Sequence, residues 1–202
     1  MGRKWYVAEL ILFTVALLVF LYTPGGPSIW RNTDRFRTLF AVGDGTIELV
    51  HDEDIDGRVL EMVAPNVATT KVTCPVPGTK ALGITLPIIV LLIKSTNDNP
   101  VSFEVQVKDS KLETRRFRAS TYQTSARVQS SICTMPLKLQ HGWNEVRFDM
   151  REFLMSAYGT TYKETMQVSI HGSCRVRRIY FTDKLYQDSD LPPEFKLFKP
   201  HR

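Results

Sequence analysis

The stretch from Phe103 to Met150 reads FEVQVKDSKLETRRFRASTYQTSARVQSSICTMPLKLQHGWNEVRFDM and combines strand-like alternation with a dense row of arginines. Since successive side chains of a strand point to opposite faces, alternating apolar and polar residues predict a strand with one buried and one wet face. The apolar positions that follow this rule are Val101, Phe103, Val105 and Val107, and later Val146, Phe148 and Met150. The stretch therefore predicts paired strands, and its arginines indicate a partner rich in negative charge.

Further short strands are predicted on both sides of this stretch, at Ile47 to Val50, Val59 to Val63 and Val72 to Cys74. The run from Ile84 to Ile93 is almost entirely apolar, which is too hydrophobic for a strand with one wet face, so it is predicted to lie in the middle of the core. From Met166 to Arg177 the alternation is strict and predicts one continuous strand, with Arg175 and Arg177 on its polar face.

One short helix is predicted after Asp149, which can cap the first turn while Glu152 reaches back in a capping box, and Gly159 is predicted to end it. Many short strands with a single helix predict an all-β fold, an antiparallel β-sandwich of jelly-roll type. At 202 residues the chain is long enough for one sizeable core. We expect a single sandwich domain over residues 28–202, preceded by an apolar N-terminal segment over residues 1–27.

The apolar run in that N-terminal segment extends from Leu10 to Tyr22 and follows the basic pair Arg3 and Lys4. This arrangement is typical of a signal peptide, but no small-residue cleavage motif follows it. The run is also shorter than the roughly 18 apolar residues that indicate a membrane span. We therefore expect it to pack against the sandwich or a partner, so that a membrane role is not favoured.

The formal net charge of +5 is unevenly distributed: of 26 basic and 21 acidic side chains, residues 103–202 carry 17 and 11. A basic second half suggests an acidic partner surface, for which nucleic acid, anionic lipid and tubulin all qualify. The three cysteines Cys74, Cys133 and Cys174 do not make an even disulfide framework, and the sequence contains no Asn-x-Ser/Thr sequon. Reduced thiols in an intracellular protein are the simpler interpretation.

Metal and catalytic motifs are weak. Asp52, Asp54 and Asp56 resemble the opening of a calcium-binding loop, yet Val63 stands where the bidentate acid belongs, so this run is interpreted as a solvated acidic turn. His171 and Cys174 are three apart, which on a strand sends them to opposite faces and disfavours a shared metal. We expect no catalytic residue, no cofactor and no metal, and hence a protein that is not an enzyme.

Two basic clusters are the candidate binding residues: Arg115, Arg116 and Arg118, and then Arg175, Arg177, Arg178 and Lys184. Guanidinium groups suit carboxylate surfaces because they pair bidentately and are weakly hydrated. The alternative is that these arginines pair with acidic residues of the same chain, which is the more common situation for any single arginine. As groups, they predict an interface.

A series of ordered sequence blocks resembles the cilia- and flagella-associated protein 20 family of axonemal doublet microtubules. The blocks are TTKVTCP (Thr69 to Pro75), LGITLPIIVLLIK (Leu82 to Lys94), RRFRASTYQ (Arg115 to Gln123), ICTMPLKL (Ile132 to Leu139), GWNEVRF (Gly142 to Phe148), AYGTTYKET (Ala157 to Thr165), HGSCRVRRIYFTD (His171 to Asp183) and LPPEFKLF (Leu191 to Phe198). They are long and irregular, and together they extend the resemblance over roughly Ser28 to Pro200. Arg31 to Gly45 looks like an insertion, so the chain resembles a divergent member or a paralogue.

The resemblance implies a non-enzymatic structural protein of the ciliary or flagellar axoneme and basal body. It implies binding to α/β-tubulin at the inner junction, where A- and B-tubules are linked. Partners implied alongside tubulin are a parkin-co-regulated-like protein, other microtubule inner proteins and neighbouring copies. The residues alone leave two alternatives open, which are a nucleic-acid-binding module and a membrane-anchored carbohydrate-binding sandwich; nucleic acid is not the expected partner.

Overall fold

Two facing β-sheets make up the fold. The structure, a computed structural model, describes residues 44–75, 78, 80–96, 99–191 and 195–198. The predicted N-terminal segment, with its run from Leu10 to Tyr22, lies outside these described residues. The elements are β1 Thr46–Asp52, β2 Gly57–Val63, β3 Lys71–Cys74, β4 Ile88–Ser95, β5 Val101–Asp109, β6 Thr114–Ser120, β7 Arg127–Val128, β8 Ile132–Pro136, β9 Trp143–Asp149, α1 Met150–Tyr158, β10 Tyr162–Gly172 and β11 Cys174–Thr182.

The strands form a five-stranded sheet in the order β1-β2-β11-β4-β9 and a six-stranded sheet in the order β3-β10-β5-β6-β8-β7. Over the residues that the structure describes, the predicted β-sandwich with one short α-helix is confirmed. Neighbouring strands run antiparallel, except that β6 and β8 are parallel, with Arg116 opposite Ile132 and Ser120 opposite Pro136. The side chains between the two sheets form the main core.

Of the apolar run from Ile84 to Ile93, the part that belongs to β4 lies in the core, as predicted, whereas Thr85 before the strand is exposed. Its residues Ile88 to Ile93 are all buried. Ile89, Leu91 and Ile93 point into the main core, while Ile88, Val90 and Leu92 point outward and are covered by Phe195 and Leu197 near the C-terminus. Burial on both faces explains why this strand tolerates no polar residue before Lys94. The described C-terminal residues thus cover part of the outer face of the five-stranded sheet.

The predicted single strand from Met166 to Arg177 is wrong, because the chain changes sheets at Ser173. β10 lies in the six-stranded sheet and β11 in the five-stranded sheet. Gly172 makes the corner with φ of 98°, and a Cβ there would lie 2.0 Å from the carbonyl oxygen of Pro100, so glycine is required. The inward side chains before and after the corner, including Ile170 and Cys174, share one core.

The predicted helix is confirmed at both ends. The Asp149 side chain accepts a hydrogen bond of 3.0 Å from the Arg151 backbone N–H, and Gly159 ends the helix in the left-handed conformation with φ of 62°. Met150 and Leu154 are buried and anchor the helix to the main core. Within the part of the chain that the structure describes, no helix has both the length and the apolar character needed to cross a membrane.

Candidate partner-binding surfaces

Arg115, the first arginine of the β6 cluster, is held by internal contacts. Its Nε donates to Asp109 Oδ2 at 3.0 Å, it also donates to the Ser130 carbonyl, and its guanidinium lies 4.5 Å from the centre of the Tyr158 ring. Burial would raise the pKa of Asp109, but the hydrogen bonds from Arg115 and from two backbone N–H groups outweigh it, so the pKa lies below its usual range. Arg115 therefore closes the end of the β5–β6 hairpin.

Arg116 and Arg118, in contrast, share one carboxylate and reach solvent. Arg118 donates from Nε and Nη2 to Glu104 Oε2 at 2.9 and 2.6 Å, and Arg116 Nε lies 3.3 Å from Glu104 Oε1. The Glu104 side chain is only 8% exposed, whereas Arg116 and Arg118 are 46% and 35% exposed. The expectation that this face of β5 is wet is wrong at Ser102 and Glu104, which are buried.

Arg175 in β11 pairs inside the protein. Its Nη1 donates to Asp52 Oδ2 at 2.8 Å and its Nε donates to Glu61 Oε1 at 2.7 Å. This pairing matches the alternative stated for single arginines, namely that the charge is balanced within the same chain. Two carboxylates already neutralise this guanidinium, so it contributes less to the attraction of a partner.

Asp52 is the centre of that network and is 1% exposed. It also accepts hydrogen bonds from Trp143 Nε1 at 3.0 Å and from Lys94 Nζ at 3.3 Å. Burial would raise the pKa of Asp52, but the hydrogen bonds from Trp143, Arg175 and Lys94 outweigh it and hold the pKa below its usual range. The interpretation of this segment as a solvated acidic turn is therefore wrong for Asp52, which joins β1 to β4, β9 and β11.

Arg177 and Arg178 are 7% and 5% exposed, so the expectation that Arg177 lies on a wet strand face is wrong, and the neighbouring Arg178 is buried as well. A β-bulge lies between Val176 and Arg178, and Arg177 is the extra residue. Arg177 donates to the Leu197 carbonyl, and the Arg178 guanidinium lies 4.9 Å from the centre of the Phe195 ring. These arginines hold the C-terminal residues over the five-stranded sheet, and a role in partner binding remains a prediction.

Lys184, the last predicted binding residue, is exposed in the segment after β11. Its Nζ lies 5.1 Å from the centre of the Tyr186 ring. Of the seven predicted residues, Arg116, Arg118 and Lys184 are thus the ones whose charge reaches solvent best. Sequence reasoning missed Asp52, Glu61, Glu104 and Asp109, the carboxylates that pair with the arginines; the available signal was an acidic residue within a strand-forming segment.

The cysteines and the histidine near them are poorly suited to nucleophilic chemistry. Burial raises the pKa of Cys74 to about 11 and that of Cys174 to about 12. Cys174 points into the core, whereas His171 lies before the corner in the other sheet. Among the described side chains, no three metal-binding groups are arranged to hold an ion.

Comparison with known proteins decides the family. The CFA20 domain matches residues 30–199, which is most of the chain. The chain belongs to the CFA20 domain family. Relatives named Cilia- and flagella-associated protein 20 are similar over most of their own length as well.

The relative from Chlamydomonas reinhardtii is 52% identical over 159 residues, which cover 79% of this chain and 83% of the relative. The relative from Paramecium tetraurelia is 49% identical with the same coverage. That from Caenorhabditis elegans is 43% identical over 192 residues, or 94% of this chain and 90% of the relative. A solved exo-β-agarase covers 75% of this chain and 24% of its own at 12% identity, with a TM-score of 0.36, a likeness too low to transfer any property.

Proposed function

We propose that this CFA20-domain protein is a non-enzymatic structural component of the cilium or flagellum that binds tubulin at the inner junction of the axonemal doublet microtubule. The observation that carries the association with cilia is the 43–52% identity to proteins named Cilia- and flagella-associated protein 20. The position at the inner junction, where the protein would link A- and B-tubules, rests on the family resemblance of the sequence blocks.

The charges of the chain support an acidic protein partner. The sequence has a formal net charge of +5, and its basic excess lies in the second half. Arg116 and Arg118 reach solvent while Glu104 holds both in place. Positive side chains in fixed positions favour association with a negatively charged surface such as that of tubulin. Copies repeated along a microtubule need only modest affinity at each contact, because neighbouring contacts add avidity.

The buried thiols support a role other than catalysis. A thiol becomes a nucleophile only as the thiolate, and burial keeps Cys74 and Cys174 protonated at neutral pH. A protein that acts by binding needs instead a stable framework and a fixed surface. The sandwich, with its large core and internally paired arginines, supplies the first of these.

The experiment that tests the proposal follows the tagged protein in ciliated cells. We expect it in cilia, and we expect it to stay with axonemes after detergent extraction. Purified protein should sediment with microtubules, and binding should fall as salt rises and when the acidic tubulin tails are removed with subtilisin. A tagged protein found only in soluble or membrane fractions would contradict the proposal. Crosslinking on axonemes would identify the neighbours, for which a parkin-co-regulated-like protein and further copies of this chain are expected.

A further inference from the structure

The outer face of the six-stranded sheet is lined by polar side chains in register. One row crosses all six strands and consists of Thr73, Ser169, Glu104, Arg118, Thr134 and Arg127. We call the outward side chains of this sheet the polar face. The positions that alternate with it, such as Phe117 and Val105, point into the main core. The polar face therefore spans the full width of the sheet, but Thr73, Ser169 and Glu104 are buried, while Arg127 is exposed.

Several side chains on the polar face are held in place by hydrogen bonds to one another. Thr73 and Ser169 hydroxyls lie 3.0 Å apart, and the Gln106 amide donates to Gln167 at 3.1 Å. Ser120 donates to Ser102 at 2.9 Å. Side chains already held in one arrangement lose little conformational entropy when a partner binds, which favours association.

The charge of the polar face is positive. Its outward strand positions carry the cations Lys71, Lys108, Arg116, Arg118 and Arg127 and the carboxylates Glu104 and Glu164. Lys71, Arg116 and Arg127 are exposed. The Nε of Arg116 lies 3.3 Å from Glu104 Oε1, and the described residues show no hydrogen bond from the terminal nitrogens of its guanidinium, whose side chain is 46% exposed. These nitrogens are geometrically able to pair with a carboxylate from another molecule.

The two outer faces of the sandwich differ in this respect. The five-stranded sheet is covered around β4 by Phe195 and Leu197, and its arginines Arg177 and Arg178 are buried there. On the polar face the middle residues are buried as well, among them Ser102, Glu104 and Ser120, but Arg116 and Arg127 are exposed. Arg116 and Arg127 are thus better placed to meet a partner than Arg177 and Arg178.

We propose that the polar face is the docking surface for an acidic protein partner, which presents carboxylates to Arg116 and Arg127. This inference rests on the proposed function for the identity of the partner and goes further in naming the surface. A protein fits better than a nucleic acid, because the outward strand positions of the polar face carry no Phe, Tyr or Trp on which bases could stack. Glu104 in the middle of the row is buried and pairs with Arg116 and Arg118, so it fixes where these two guanidinium groups can meet partner carboxylates.

The test compares two double charge reversals of equal size. Arg116→Glu with Arg127→Glu changes the polar face, and Arg58→Glu with Lys138→Glu is the matched control, since both of its residues are exposed and lie in β2 and in the loop after β8. Binding is measured on immobilised poly-glutamate and on microtubules. We expect the polar-face variant to bind both at least about tenfold more weakly and the control to stay within about twofold of the unmodified protein. Thermal melting checks that both variants are folded.

Each contrary result has a distinct meaning. Equal weakening by both variants, or none by either, would overturn the inference. So would tighter binding of the unmodified protein to a single-stranded oligonucleotide than to poly-glutamate. A dimer in sedimentation that only the polar-face variant loses would show that a second copy occupies the surface. If the polar-face variant loses poly-glutamate binding while no form of the protein binds microtubules, the docking surface stands and tubulin as partner is wrong.

Discussion

Replacing Asp52 tests whether the buried network at the end of β1 stabilises the sandwich. Asp52→Ala removes the acceptor of the Trp143 indole N–H and one carboxylate partner each of Arg175 and Lys94. Asp52→Asn keeps an oxygen that can accept from Trp143 and removes the charge. We therefore expect the alanine variant to be less stable than the asparagine variant, and both to be less stable than the unmodified protein.

The magnitude follows from what each substitution leaves behind. A buried indole N–H without an acceptor costs about 1–3 kcal/mol. The two cations are 27% and 21% exposed and each keeps another carboxylate, so each loses only about 0.5–1 kcal/mol. The expected loss is about 3 kcal/mol for Asp52→Ala, which lowers the melting temperature by roughly 10 °C, and about 1–2 kcal/mol for Asp52→Asn.

The effect should depend on pH. Because the pKa of Asp52 is lower in the folded protein than in the unfolded chain, ionisation of Asp52 stabilises the fold at neutral pH. This contribution is complete above the unfolded pKa of about 4 and is lost as pH falls through the lower folded value. The gap in stability between the unmodified protein and Asp52→Asn should therefore shrink below about pH 4.

Urea unfolding followed by circular dichroism, repeated at several pH values, measures these differences. Asp54→Ala is the matched control, since Asp54 lies in the same turn but is 55% exposed and pairs with Lys94 at 2.6 Å. We expect it to cost less than about 1 kcal/mol. The reasoning would be refuted by an Asp52→Ala variant as stable as Asp54→Ala, or by a gap for Asp52→Asn that does not change with pH.

Further predictions concern the corner, the core and the two arginine environments. Gly172→Ala should destabilise the fold by roughly 3 kcal/mol in urea unfolding, because its Cβ would collide with the Pro100 carbonyl; a loss under about 1 kcal/mol would mean that the corner relaxes freely. Ile89→Ala should cost about 2–5 kcal/mol, and near-normal melting would contradict its place in the core. Arg178→Glu should lower the melting temperature, because it puts an acid against an aromatic ring under the C-terminal residues; unchanged melting would show that this cover opens easily. Glu104→Gln should strengthen poly-glutamate binding several-fold, and unchanged binding would place its arginine partners outside the interface.

Alternation predicted most strands because it reports which side chains meet the core. It could not reveal the corner between β10 and β11, since the inner faces of both sheets meet the same core and the parity of Ile170 and Cys174 continues across it. The local signal in the sequence was the glycine at position 172. In the structure Gly172 adopts a positive φ, which turns the chain into the corner instead of continuing the strand. β4 was predicted correctly because its burial on both faces leaves a continuous apolar run.

The binding residues were less predictable for a physical reason. Alternation tells which side of a sheet a residue occupies, and it does not tell whether that side is covered. Arg177 and Arg178 lie on the outer side but beneath Phe195, which is about twenty residues further along the chain. The pairing of Arg175 with Asp52 joins positions 123 residues apart, and no local pattern reports such a contact.

The corner at Ser173 also has a mechanical consequence. It is one residue long, and it joins β10 and β11, each of which has a neighbouring strand on both sides within its own sheet. A force that slides one sheet past the other would therefore pull directly on a covalent link near the middle of the sandwich, with no slack in the connection to absorb the displacement. Among the connections between the two sheets this one joins inner strands through a single residue, so shear at this place would load the backbone before the packing of the core yields.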